Sequence, residues 1–154
     1  SLEVLIKEDV FDQAIEEFAQ AAFTKQMEIV NNLPVGIKIF GDLELLIIVA
    51  NNLISNAIKY GNIGGKVIIN AQDLDERLEI SVYNDGEPLT VEQQRVLFKR
   101  FSRVASAQTK IVQWTGLGLF ITKEIIQKHG GRIWVESTVT GNAFRFEIIK
   151  GSRL

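Results

Sequence analysis

Asn51, Asn52, Ser55, Asn56 and Lys59 are the residues whose types and spacing could do chemistry. They lie in one stretch, Leu43 to Tyr60, which reads LELLIIVANNLISNAIKY. At about 100° per residue they fall within one arc of a helix. Asn52 and Asn56 are one turn apart and can touch the same object. Most of the remaining stretch is apolar (Leu45, Leu46, Ile47, Ile48, Val49, Ala50, Leu53, Ile54, Ala57, Ile58), so the helix belongs inside a domain. Carboxamides and a lysine on a buried helix cost free energy unless something satisfies them. A magnesium–phosphate group would do so, because amide oxygens suit the metal and an ammonium suits a phosphate oxygen. A polar seam bonded to neighbouring backbone would do so equally well, and the motif alone does not choose between them.

Three other places add to the inventory. Leu78, Ile80 and Val82 alternate along a strand, and Asn84 continues their inward face where the strand ends, positioned to meet a ligand's edge. Thr115-Gly116-Leu117-Gly118 leads into a helix from Leu119 to Lys128, and glycines before a helix let backbone N–H groups approach a phosphate, helped by the helix dipole. A two-glycine loop is a weak signal by itself. His129 stands at the end of that helix before Gly130-Gly131, a place that favours a structural role over phosphate acceptance.

Composition narrows the classes. The 154 residues are expected to form one domain with its own core, and 46% hydrophobic with 23% charged residues is ordinary for a globular protein. Without cysteine there is no disulfide or thiol chemistry, and one histidine excludes a multi-histidine metal centre. The longest apolar run, Leu45 to Ala50, is too short to span a bilayer, and no signal peptide is expected at the start. A net charge of −2 argues against a general nucleic-acid footprint. From Gln93 to Lys123, however, there are six Lys or Arg and no Asp or Glu, which suits a small anion.

The elements that must position these residues follow in order. Ser1 to Glu8 reads as a strand or entry arm, with Asp9 as helix cap and Phe11, Ile15, Phe18 and Ala22 at helical spacing. Met27 to Asn31 and Val35 to Phe40 read as strands around the Asn31-Asn32-Leu33-Pro34 turn. Asp42 caps the central helix, and Gly61 to Gly65 ends it. Lys66 to Asp73 and Glu76 to Asn84 form a hairpin. Asp85-Gly86-Glu87-Pro88 is a turn, and Thr90 with Gln93 makes a capping box for a short helix through about Phe101. Its Leu97, Phe98 and Phe101 read as core or hinge residues. Ser102 to Trp114, with Arg103 and Lys110, reads as a mobile loop. Arg132 to Ser137 and Ala143 to Ile149 close the chain as a hairpin across Thr140-Gly141-Asn142. The interleaving predicts a mixed sheet with helices on one face.

The order of these signals resembles the catalytic, ATP-binding domain of sensor histidine kinases, in the superfamily shared with DNA gyrase, heat-shock chaperones and mismatch-repair proteins. The resemblance covers essentially the whole chain, 1–154. Asn52-Leu53-Ile54-Ser55-Asn56-Ala57-Ile58-Lys59-Tyr60 is similar to the family's N box and Val82-Tyr83-Asn84-Asp85-Gly86 to its G1 box. Leu97 to Arg103 is similar to the F box, Thr115-Gly116-Leu117-Gly118-Leu119 to the G2 box, and His129-Gly130-Gly131 to the usual close of the next helix. The resemblance implies an α+β two-layer sandwich of the Bergerat type, with a mixed, mostly antiparallel sheet and about three helices on one face.

It also implies roles. Asn56, with Asn52, would hold Mg²⁺ on the triphosphate of ATP; Lys59 would pair with phosphate oxygens; Tyr60 would line the pocket. Asn84, Asp85 and Gly86 would form the adenine-reading end of G1, with Asn84 as the contact because strand alternation turns Asp85 away. Thr115, Gly116, Leu117, Gly118 and Leu119 would serve the phosphates, and Arg103 and Lys110 would reach them from the lid loop. Against the usual D-x-G-x-G of G1, this chain has Asn84 for the aspartate and Pro88 for the second glycine; Trp114 stands where G2 often has glycine. An amide oxygen still accepts from an adenine amine, but it lacks charge assistance of about 1 kcal/mol.

Hydrolysing relatives carry glutamate at the position of Asn52, and an amide cannot act as a base. The resemblance therefore implies transfer of the γ-phosphate to a histidine on a separate dimerisation domain of the same protein, in two-component signalling with a response regulator and a cytoplasmic location. Such a fragment would bind nucleotide without phosphorylating itself. It implies neither a nucleic-acid partner nor direct membrane insertion. Two alternatives stand beside it: an anti-sigma-factor-type serine kinase, and a degenerate interaction module with weak or no ATP binding.

Overall fold

The computed structural model describes residues 2–100 and 118–151. The chain opens with β1 (Leu2–Leu5), and a π-helical turn over Ile6–Phe11 runs directly into α1 (Asp12–Thr24). Asp9 does not cap α1, whose N-terminal flank Phe11 makes no side-chain cap bond. Its carboxylate instead accepts from the Leu5 N–H at 2.8 Å, where the π-helical turn leaves the strand.

The order continues with β2 (Glu28–Asn31), β3 (Lys38–Gly41), α2 (Leu43–Tyr60), β4 (Lys66–Leu74), β5 (Arg77–Asp85), α3 (Val91–Val96), α4 (Gly118–Lys128), β6 (Arg132–Ser137) and β7 (Gly141–Ile149). Five strands form the main sheet in the order β2-β4-β5-β7-β6, and β1 pairs with β3 in a separate two-stranded ribbon. Among the described strands only β2–β4 is parallel. The segments flanking Asn31–Pro34 are therefore not a hairpin. The turn hands the chain from the main sheet to the ribbon, and each strand finds its partner elsewhere.

Burial follows the period of two. Leu78, Ile80, Val82 and Asn84 of β5 and Asn142, Phe144, Phe146 and Ile148 of β7 are buried on one face of the sheet, with Val67 and Ile69 of β4 beside them. Helices α1, α2 and α4 bury their apolar stripes against that face, giving the two-layer α+β architecture. The other face carries ion pairs instead, Arg77 with Glu147 and Arg145 with Glu136.

Helix α3 has the expected capping box: the Gln93 N–H donates to Thr90 Oγ1 at 3.1 Å and the Thr90 N–H donates to Gln93 Oε1 at 2.9 Å. The helix stops at Val96 rather than near Phe101, and the next residue, Leu97, is fully buried in the core. Phe98 packs edge-on to Phe144, with ring centroids 6.1 Å apart.

Candidate functional site

Helix α2 carries the central arc and is fixed at both ends. Asp42 caps it by accepting from the Leu45 N–H at 3.1 Å. The Asp42 N–H itself donates to His129 Nε2 at 3.1 Å, while His129 Nδ1 lies 2.9 Å from the Ile125 carbonyl. That pair of bonds assigns the proton to Nδ1 and makes His129 a staple between the start of α2 and the end of α4. Behind it, the Gly131 N–H bonds to Ile126 O and the Gly130 N–H to Gln127 O, both at 3.0 Å. With Gly130 at φ +73°, this is the Schellman arrangement.

At the other end of α2, Lys25 Nζ donates to the carbonyls of Ile58 and Lys59, each at 2.8 Å. It sits where a helix dipole favours a cation, while burial pulls the Lys25 pKa below the usual lysine range. Nothing in the sequence had pointed to Lys25.

Along the arc the polar side chains differ in what they hold. Asn52 Nδ2 donates to Gly118 O at 3.1 Å and to Thr122 Oγ1 at 3.2 Å, tying α2 to the first turn of α4. Its Oδ1 has no hydrogen-bond partner among the described residues. Ser55 Oγ turns back to Asn52 O at 3.2 Å. Asn51 Oδ1 is buried without a partner, on the border of the arc away from Asn56. Asn56 makes no side-chain hydrogen bond among the described residues. Lys59 is exposed, its ammonium 5.3 Å from the Tyr60 ring centroid, and no described carboxylate pairs with it. The seam reading thus holds for Asn52 and Ser55, while Asn56 and Lys59 have no such bond among the described residues.

The end of β5 supplies the second half. Asn84 is fully buried. Its Nδ2 donates to Asp85 O at 3.2 Å, which fixes the amide's orientation and leaves Oδ1 without a partner. Asp85 points the other way, as alternation requires: its Oδ2 accepts from the Lys66 N–H and its Oδ1 from the Tyr83 hydroxyl, both at 2.8 Å. Burial, with Asp85 beside it, pushes the Tyr83 pKa up, although Thr140 bonds to the same hydroxyl and opposes the shift. Asp85 therefore fastens the turn, with both of its carboxylate oxygens engaged by the protein.

Gly86 lies where a Cβ would stand 2.9 Å from Asn84 Nδ2 and 3.0 Å from Tyr60 O. A side chain there would crowd both groups, so glycine suits the close pass of the turn between β5 and the end of α2. The fold so gathers Tyr60, Asn84 and Gly86 at one end of α2, and Asn52 and Gly118 half-way along it. Leu119 contributes only its backbone, since its side chain is buried in the core. Arg103, Lys110, Trp114, Thr115, Gly116 and Leu117 lie outside the described residues.

The donor set fits a magnesium nucleotide. Among the described residues no cluster of three His, Cys, Asp or Glu could hold a metal alone. A cation would have to share amide oxygens with a ligand's own phosphates and with water; substrate phosphates commonly complete the Mg²⁺ shell. A buried orphan acceptor at Asn84 calls for a donor such as an exocyclic amine.

Comparison with known proteins gives the family. A model of the histidine kinase-, DNA gyrase B- and HSP90-like ATPases matches residues 41–151. The chain belongs to this ATPase family. The sensor-like histidine kinase SenX3 of Mycolicibacterium smegmatis is 32% identical over 149 residues, covering 96% of the chain. The chain spans 38% of that relative's length. Among solved structures, the catalytic domain of histidine kinase ThkA has a TM-score of 0.84 at 28% identity, with 97% of this chain and 95% of that one covered. A structure of ThkA in complex with the response regulator protein TrrA gives a TM-score of 0.81 at 27% identity, covering 97% of this chain and 42% of that one. The ATPase domain's fold is that of the histidine kinase catalytic domains. No helix among its described residues is long and apolar enough to cross a membrane.

Proposed function

We propose that this domain binds Mg²⁺-ATP and donates the γ-phosphate to a histidine on a separate dimerisation domain of the same protein, in two-component signalling. The observation that carries the reading is the fully buried Asn84, whose Oδ1 lacks a partner while its neighbour Asp85 is bound on both oxygens. An adenine amine supplies the missing donor. Asn56 would hold Mg²⁺ with Asn52 Oδ1, and the metal would neutralise charge on the phosphate oxygens. Lys59 would pair with those oxygens. The first turn of α4, beginning at Gly118 and oriented by Asn52 Nδ2, would present backbone N–H groups to them. Arg103 and Lys110 are the proposed lid contacts, with Thr115, Gly116 and Leu117 completing the phosphate loop.

Asn52 also favours transfer over hydrolysis. Its carboxamide cannot take a proton from water, and its nitrogen is held by Gly118 and Thr122. The domain's part in the chemistry is then positioning and charge neutralisation. His129 has both ring nitrogens engaged in stapling α2 to α4, so the acceptor histidine lies elsewhere. A response regulator is the expected downstream partner, by likeness to the ThkA complex, and the dependence on ATP suggests a cytoplasmic setting. A degenerate module with weak or no ATP binding is the competing reading, motivated by Asn84 and Pro88 in place of the usual G1 residues and by Trp114 in place of a G2 glycine.

The test is phosphotransfer from γ-labelled ATP to the histidine hairpin supplied from the intact protein. Label on the hairpin that is lost when Asn56→Asp replaces the parent supports the proposal. Absence of label, with the parent showing no heat on titration with Mg²⁺ and a non-hydrolysable ATP analogue at millimolar concentration, supports the module.

A further inference from the structure

Asn142 is a second buried carboxamide, directly across the sheet from Asn84. The two are partners in the β5–β7 register, and both are fully buried. Their bonding differs. Asn142 Oδ1 accepts from the Leu89 N–H at 3.0 Å and from Ser137 Oγ at 2.5 Å, and Nδ2 donates to Glu87 O at 2.9 Å. Glu87 C=O and Leu89 N–H flank Pro88, which has no N–H of its own. One side chain thus grips the loop on both sides of the proline, as a neighbouring strand would. Ser137 Oγ in turn accepts from Gln94 Nε2 at 3.1 Å, and the same nitrogen donates to Leu89 O at 3.0 Å. Residues 87–89 are held from β7, β6 and α3 together, one residue beyond Gly86.

We infer that Asn142, with Ser137 and Gln94, is a positioning residue for base recognition. It fixes the Gly86–Leu89 loop beside Asn84, so that the buried Asn84 Oδ1 keeps no protein partner and is left for an exocyclic amine. The inference rests on the nucleotide-site reading above. A loop already tied by side chains loses little freedom when a base enters, and that preorganisation favours affinity. Pro88 acts in the same direction. Where the resemblance leads one to expect a flexible glycine, its ring presets φ, and the Asn142 amide spans it. With the loop secured from Asn142, Asn84 makes only its one bond, to Asp85 O.

Adenosine and magnesium tripolyphosphate are titrated separately by calorimetry into the parent domain, Asn142→Ala and Gln94→Ala. Exchange of the Leu89 amide is followed by NMR in the same proteins. Gln94 lies on the partly exposed short helix α3, so its truncation leaves a folded domain even if Asn142→Ala does not fold. The expected result is a loss of adenosine affinity of about tenfold in Asn142→Ala and about threefold in Gln94→Ala, from the hydrogen bonds removed. Tripolyphosphate affinity stays unchanged, and Leu89 exchange accelerates. A purely structural role would lower the melting temperature while leaving adenosine affinity intact, or would weaken both probes alike; either result overturns the inference. A parent that binds tripolyphosphate but not adenosine overturns the adenine-site reading and this inference together.

Discussion

Asn84→Leu separates a functional orphan from a structural amide. Leucine has nearly the shape of asparagine, so the substitution removes the two polar atoms with little change in volume. In Asn84 these atoms make one bond, from Nδ2 to Asp85 O, and that carbonyl also accepts from the Asn62 N–H at 2.8 Å. No partner is stranded, and an unpaired buried oxygen disappears. The loss of one neutral bond is about 1 kcal/mol, offset by removing the orphan, so the free domain changes stability by no more than about 1 kcal/mol. Asn142→Leu is the control, with the same residue type, burial and register. It strands the Leu89 N–H, at about 1 to 3 kcal/mol, and breaks the bonds to Ser137 and Glu87, at about 1 kcal/mol each, so at least about 3 kcal/mol is expected. Urea unfolding followed by circular dichroism measures both. Calorimetric titration with adenosine completes the test: Asn84→Leu loses an acceptor for the amine and should bind about tenfold or more weakly. Equal destabilisation by the two variants, or unchanged adenosine affinity in Asn84→Leu, would refute the reasoning.

Three further outcomes are expected. Asn56→Asp should abolish binding of magnesium triphosphate while leaving the melting curve unchanged, because no described residue bonds to that side chain; Lys59→Ala should weaken the triphosphate more than adenosine, both read by titration calorimetry. His129→Ala should lower stability by about 2 kcal/mol, through loss of the bonds to Asp42 and Ile125, in urea unfolding; the variant should still donate phosphate to the histidine hairpin. Lys150 hydrogen-bonds Asp73 and, with the Asp75 N–H, holds its carboxyl below the usual carboxylate range. That contribution is present above the unfolded-state pKa and is lost as pH falls through the lower folded one, so Asp73→Asn should lose it at neutral pH, change stability least at the acid end, and so flatten the acid limb of the stability–pH curve below about pH 4.

What the sequence made legible was local. The arc on α2, the Thr90–Gln93 capping box, the Gly130-Gly131 stop and the inward turn of Asn84 all follow from periods and cap chemistry within a few residues. The hairpin partners were legible, β4 with β5 and β6 with β7, but the pairings between strands distant in the chain were not. The chain turns at Val35–Gly36, just after Asn31–Pro34, and β2 pairs in parallel with β4 while β3 pairs with β1, by contacts that no neighbouring residue encodes. Asp9 was misassigned because the chain makes a π-helical turn before α1, a choice dictated by packing of Ile6, Val10 and Phe11 in the core. The site was legible where a polar residue broke an apolar stripe. Asn142 breaks the stripe Phe144, Phe146 and Ile148 as Asn84 breaks that of β5. Placing it in the turn concealed the same signal. Lys25 left no trace because its acceptors are carbonyls more than thirty residues away.

The most direct measurement is a crystal structure of the domain with Mg²⁺ and a non-hydrolysable ATP analogue. The account predicts the adenine amino group on Asn84 Oδ1, the metal on Asn56 and the phosphates against Lys59 and the start of α4. Base and metal bound away from these residues, with Asn84 Oδ1 still unpaired, would contradict it.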